Sequence, residues 1–130
     1  MLSGINYGVN VGQDIVYSGT VAAVFEAARM GIKGIAFSTF PHSQKEAAQY
    51  FDMAYDFIVS NNLFNETLIY NVNIPDKVSD IRITYQGSHY FSDGFVHDGG
   101  DMYHQDGAPI PDVCPDDLNR DTVAILNETI

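Results

Sequence analysis

The sequence contains no tryptophan, a single cysteine and only six basic residues in 130. Cys114 has no second cysteine to pair with, so no internal disulfide staples the fold. No Cys/His cluster surrounds it either, which removes a zinc site of the usual spacing. Six Lys and Arg stand against seventeen Asp and Glu, a formal charge of −11, and no basic run could follow a phosphodiester backbone. A module that binds a nucleic-acid polymer is therefore not expected. No apolar run approaches the ~18 residues that a membrane-spanning helix needs. The N-terminus lacks a basic stretch followed by a long apolar one, so no secretory leader is expected. With one free thiol, the reducing cytoplasm is the simplest compartment. A Walker loop and a G-x-G-x-x-G dinucleotide fingerprint are missing as well.

What is present is ordinary globular material, with 45% hydrophobic residues, enough for one domain with a core. Met1 to Ile5 is a short apolar run that reads as a strand stopping at Asn6, and Asn6 to Gly12 has loop chemistry. Ser18 is a suitable N-cap for a helix to Arg29, with Val21, Val24, Phe25 and Ala28 at helical spacing and Gly31 as its stop. Gly34 to Ser38 suits a buried strand. Ser43 and Glu46 are placed as a capping box for a second helix, whose apolar face is Ala47, Tyr50, Phe51, Ala54, Phe57 and Ile58, ending at Asn61 and Asn62. Leu68 to Ile74 reads as a strand, and the alternation from Ile81 to Tyr85 as an antiparallel or edge strand. This order predicts an α/β sheet with crossover helices over residues 1–86. Residues 87–115 change to Gly, Asp, His and aromatics and read as an extended hairpin arm. Residues 116–130 read as a short helical or mixed segment.

The chemistry concentrates between Ser3 and Ala23. In an open α/β sheet, ligands collect outside the carboxyl ends of the strands, where Asn6 and Asn10 are expected. Ser18, Gly19 and Thr20 then open a helix, and a helix N-terminus offers free N–H groups and partial positive potential to an anion. The residues alone leave two readings open: a turn followed by a cap, or a phosphate seat.

The stretch S-G-I-N-Y-G-V-N-V-G-Q-D-I-V-Y-S-G-T-V-A-A, from Ser3 to Ala23, resembles the signature of the SurE ("survival protein E") nucleotidases without a gap. Asn71 to Pro75 is similar to the family's L-N-V-N-x-P segment, and Asp121 to Ile130 looks like the stretch before its S-I-T-P-L. The resemblance implies a Rossmann-like three-layer α/β fold with a C-terminal hairpin arm exchanged between subunits of a homodimer or homotetramer. Tyr90, Phe91, Phe95 and Tyr103 would be the arm's interface anchors. It also implies a phosphomonoesterase that hydrolyses nucleoside 5′-monophosphates, extending to 3′-nucleotides and short polyphosphate, with a divalent cation, Mg²⁺ or Mn²⁺. Asn6 would be a metal ligand, and Asn10, Ser18, Gly19 and Thr20 would line the phosphate site.

The family's metal carboxylates sit in an Asp-Asp-Gly motif that is not found ahead of S-G-I-N here. The expectation is a fragment of the family pattern, incomplete at the N-terminus, inactive alone, and either an inert remnant or an assembly or phosphate-binding module. A chain stripped of its first strands is also expected to be marginally stable or to associate, exposing Val24, Phe25 and Phe51. Asp116-Asp117 reads as a solvated acidic turn, Asp14 as a turn residue or a family position, and His42, His89, His97 and His104 as surface polar residues.

Overall fold

The computed structural model describes residues 1–42 and 44–127. Three parallel strands, β1 (Leu2–Tyr7), β2 (Gly34–Thr39) and β3 (Ile69–Ile74), form a sheet in the order β1-β2-β3. Helix α1 (Gly19–Arg29) connects the first two strands and α2 (Gln44–Ser60) the last two. Every residue of β2 is buried, as a central strand covered on both faces must be.

Side chains alternate across a strand, and this separates the two helical layers. Ile35 and Phe37 of β2 pack with Val72 and Ile74 of β3 and with Ala47, Ala54 and Ile58 of α2. Ala36, on the opposite face, packs with Val21 and Val24 of α1. The result is a three-layer α/β fold, helix on either side of the sheet.

The local signals act where their chemistry places them. Ser18 Oγ accepts the Val21 N–H at 3.2 Å and caps α1. At the other end Gly31 takes φ +73°, and the N–H groups of Gly31 and Ile32 close on the carbonyls of Ala28 and Ala27, a Schellman stop. Asn62, at φ 55°, turns the chain out of α2. The expected capping pair, Ser43 with the Glu46 side chain, lies outside the described residues, as do residues 128–130 of the C-terminal segment.

Two expectations are corrected. Among the described residues Ile81 to Tyr85 joins no strand; Tyr85 makes an isolated parallel bridge to Arg120. Its alternation is real, but its backbone pairs with the C-terminal segment, Tyr85 N–H to the Asn119 carbonyl and Asp121 N–H to the Tyr85 carbonyl. On α1 the expected Val21 and Val24 are buried, together with Ala27, but Phe25 is not. Val24 is fully buried because it meets Gly34, where a Cβ would lie 3.0 Å from Val24 Cβ, whereas Phe25 is 52% exposed. Phe51 is half-buried, its ring 4.6 Å from that of Phe37.

The arm is an antiparallel hairpin of β4 (Phe91–Gly99) and β5 (Met102–Pro109). Its outer residues are bare: Phe95, Met102 and Tyr103 are 73%, 67% and 62% exposed. Residues 87–90 belong instead to the body, with Gly87 and Ser88 buried. The described residues close with a short helix, α3 (Asp121–Ala124), and a 3-10 turn at Ile125–Asn127.

Candidate phosphate site

The carboxyl edge of the sheet carries a row of three polar residues. Register pairs Asn6 of β1 with Ser38 of β2, and Ser38 with Asn73 of β3. Asn6 is therefore a strand residue, not the first residue of the following loop. Ser38 is fully buried and Asn73 8% exposed, so both need partners. Gly4 lets β1 come this close: it has φ +118°, and a Cβ there would lie 2.2 Å from the Phe37 carbonyl oxygen.

Asn10 is the partner. Its N–H donates to Asn73 Oδ1 at 2.7 Å, and its carbonyl accepts from Asn73 Nδ2 at 2.8 Å and from Asn71 Nδ2 at 2.7 Å. Its own Nδ2 donates to Ser38 Oγ at 2.6 Å. Asn73 thus holds the Asn10 peptide as another peptide would, and clamps the loop over the ends of β2 and β3. Asn6 Nδ2 donates to the Gly8 carbonyl at 2.7 Å, leaving Oδ1 as the amide's acceptor atom.

The loop then enters a 3-10 segment, Gly12–Tyr17, that runs into the Ser18 cap. A helix following a parallel strand starts at the sheet's carboxyl side, so the N-terminus of α1 lies on the same side as the Asn6–Ser38–Asn73 row. The first amides of α1, from Gly19 and Thr20, have no acceptor within the helix. Nothing lies within 4 Å of where a Cβ of Gly19 would be, so the space beside its Cα, at the start of α1, is open. Ser18, by contrast, spends its Oγ as the helix cap. Of the five expected site residues, Asn6 and Asn10 are brought together through Ser38. Gly19 and Thr20 face the same side, and Ser18 has a structural bond that competes with a direct ligand role.

A divalent cation is a poor fit to these residues by themselves. It takes about six oxygen ligands, mostly carboxylate, and Asn6 offers one neutral oxygen. Among the described residues no group of three or more His, Cys, Asp or Glu side chains converges. Asp14 is committed elsewhere: its Oδ2 accepts the N–H groups of Tyr90 and Phe91 at 3.0 and 2.9 Å, and its Oδ1 pairs with His89. Asp121 accepts the N–H groups of Gly12 and Gly87 at 3.0 and 2.6 Å, and burial pushes its carboxyl pKa up. Asp117 is not merely a solvated turn residue, since it accepts from Tyr85 Oη and the Asn119 amide. His89 likewise has a specific carboxylate partner, while His104 pairs with Asp98 on the exposed hairpin.

Sequence reasoning missed Ser38, Asn71 and Asn73 as site residues. The signal was there: Asn71-Val72-Asn73-Ile74 puts two amides on one face of a strand, and Asn73, between the buried Val72 and Ile74, is costly there without a partner.

The sequence profile of the family described as survival protein SurE matches residues 1–93. A 5′-nucleotidase SurE from Pelobacter propionicus is 42% identical over 99 residues, covering 70% of this chain and 40% of that protein. One from Erythrobacter litoralis is 40% identical over 111 residues, 78% of this chain and 44% of that protein. The crystal structure of SurE from Aquifex aeolicus matches 98% of this chain and 55% of its own, with a TM-score of 0.67 at 29% identity. The chain spans less than half the length of these two curated relatives.

Proposed function

The chain belongs to the SurE family, and from that premise we propose that it carries the phosphate-recognising part of a 5′-nucleotidase acting on nucleoside monophosphates. The observation that carries this reading is Asn10, clamped by Ser38, Asn71 and Asn73 at the carboxyl edge of the sheet, on the side where the open N-terminus of α1 lies. Backbone N–H groups of Gly19 and Thr20, with the Thr20 hydroxyl, donate to phosphoryl oxygens. The helix dipole adds favourable potential in a protein whose overall charge repels anions. Donors fixed before the substrate arrives stabilise the charge that grows on those oxygens during transfer.

The family reading also brings a divalent cation, Mg²⁺ or Mn²⁺, which supplies charge neutralisation at the phosphoryl group when bound. In this chain Asn6 Oδ1 is its proposed ligand, a single neutral oxygen that needs carboxylate partners to hold the ion. The hairpin, with Phe95, Met102 and Tyr103 bare, is the proposed contact between subunits of a homo-oligomer.

The test is phosphate release from a nucleoside monophosphate by the purified 130-residue chain, with and without Mn²⁺, beside inorganic-phosphate titration of its amide NMR spectrum. No turnover is expected, together with phosphate-dependent shifts at Gly19 and Thr20. Those shifts should weaken by about tenfold in apparent affinity in Gly19→Ala, whose new methyl meets no protein atom but occupies the open space. Mn²⁺-dependent turnover lost on Asn6→Ala would overturn the account of the metal ligands. Absence of any shift at Gly19 and Thr20 would overturn the phosphate seat.

A further inference from the structure

We propose that Asp14 is a positioning residue that couples the phosphate seat to the root of the hairpin arm; the inference rests on the phosphate-seat reading above. Asp14 lies in the 3-10 segment four residues before Ser18, and a hydrogen bond and apolar packing tie that segment to the start of α1. Ser18 N–H donates to the Ile15 carbonyl at 3.1 Å, and Ile15 packs against the Val21, Val24 and Ala36 cluster under α1. Among the described residues the Asp14 carboxylate bonds to the arm root, not to the seat. Its carboxylate reaches across 76 and 77 residues of sequence to the consecutive N–H groups of Tyr90 and Phe91, and it pairs with His89. These are the last residues before β4 and its first.

The contact is part of a seam that leaves the segment little freedom. Gln13 N–H donates to the Ser88 carbonyl at 3.1 Å, and Gln86 Nε2 to the Gly12 carbonyl at 2.9 Å. Gly12 has φ +57°, and a Cβ there would lie 1.9 Å from the Ser88 carbonyl oxygen. A shift of the segment that feeds Ser18, Gly19 and Thr20 therefore has to break or carry along the arm root. Of the seam's contacts, Asp14 is the one that grips the arm strand. Ordering the seat with an anion holds Asp14 in place, and a held Asp14 holds the two amides. Linkage makes this reciprocal: fixing the arm, as a docked second subunit would, favours the seat.

The experiment is amide hydrogen exchange of the 130-residue chain, with inorganic phosphate as the probe, read at Tyr90 and Phe91. Phosphate is expected to slow both amides by about fivefold or more, the low end of ordinary coupling between sites, while the outer hairpin amides of Phe95 and Tyr103 stay unchanged. Asp14→Ala should abolish that response while phosphate still shifts Gly19 and Thr20. Asp14→Asn, which keeps an oxygen able to accept both N–H groups, should restore most of it. Exchange at Tyr90 and Phe91 that ignores phosphate, with Gly19 and Thr20 responding, overturns the coupling and leaves the seat standing. Should Asp14→Ala fail to fold, the wild-type and Asp14→Asn measurements decide the matter by the same criteria. No response at Gly19 and Thr20 overturns the seat and the coupling with it.

Discussion

Asn73→Ala is the substitution that most directly probes how the loop is held. Asn73 makes two side-chain bonds to the Asn10 peptide, at 2.7 and 2.8 Å, from a position only 8% exposed. Its loss does not affect the two Asn10 groups equally. The Asn10 carbonyl keeps Asn71 Nδ2 at 2.7 Å, whereas its N–H loses its side-chain acceptor in a partly buried place. Two lost bonds at about 1 kcal/mol each, plus about 1–2 kcal/mol for a stranded donor, give an expected cost of roughly 3–4 kcal/mol. Asn71→Ala is the matched comparison. Asn71 is exposed and gives one of two bonds to the same carbonyl, so its loss should cost under about 1 kcal/mol. Urea unfolding followed by far-UV circular dichroism, with the slope held as a check on two-state behaviour, measures both. Inorganic-phosphate affinity should fall with Asn73→Ala by about tenfold, because the loop no longer has one position. Equal costs for the two variants, or an Asn73→Ala cost below about 0.5 kcal/mol, would refute the reasoning.

Asp112 is the second test. It is 9% exposed, accepts the N–H groups of Ser88 and Cys114 and the Thr122 hydroxyl, and pairs with Arg120. Burial alone would raise its pKa, but the Thr122 hydroxyl and the amides of Ser88 and Cys114 outweigh burial and hold the carboxyl well below the usual range. A depressed native pKa stabilises the fold above the unfolded value, about 3.9, and that stability drains as pH falls towards the native value. Wild type should therefore lose stability below about pH 4, and Asp112→Asn, already weaker at pH 7, should show a flatter profile there. Urea midpoints from pH 7 to 2.5 measure this, and parallel profiles would refute it. Asp121 works in the opposite sense: burial raises its pKa, so its contribution is greatest below the unfolded value and fades as pH rises through the native one. For the arm, Phe95→Ser with Tyr103→Ser removes two bare aromatics. Association of the chain, followed by sedimentation velocity, should weaken without loss of the circular-dichroism signal, and an unchanged distribution would refute the interface role.

Much of the fold was readable one segment at a time, because the signals are local. A Ser before an amphipathic run, a Gly after it, and a mostly apolar Gly34 to Ser38 between helices each state a backbone preference that the folded chain satisfies. The errors fell where one neighbour decides between two acceptable local states. Ile81 to Tyr85 has strand alternation, yet the main-chain groups of Tyr85 go to Asn119 and Asp121 and the Ile81 N–H to the Asp80 carboxylate. Val24 and Phe25 are equally apolar, and only the close approach of Gly34 decides which of them is buried.

The sequence by itself determined the family block from Ser3 to Ala23, and with it the residues of the proposed phosphate seat, because helix starts and glycine turns are written in consecutive residues. Tertiary structure alone decided what holds them. Asn6, Ser38 and Asn73 become a row only through strand register, and Asn10 is clamped only because that row ends beneath it. Asp14 turns from an unremarkable turn residue into the grip on Tyr90 and Phe91 by the same route. A buried amide or carboxylate must find partners wherever the chain brings them. Those partners lie 28 to 77 residues away, beyond the reach of any local pattern.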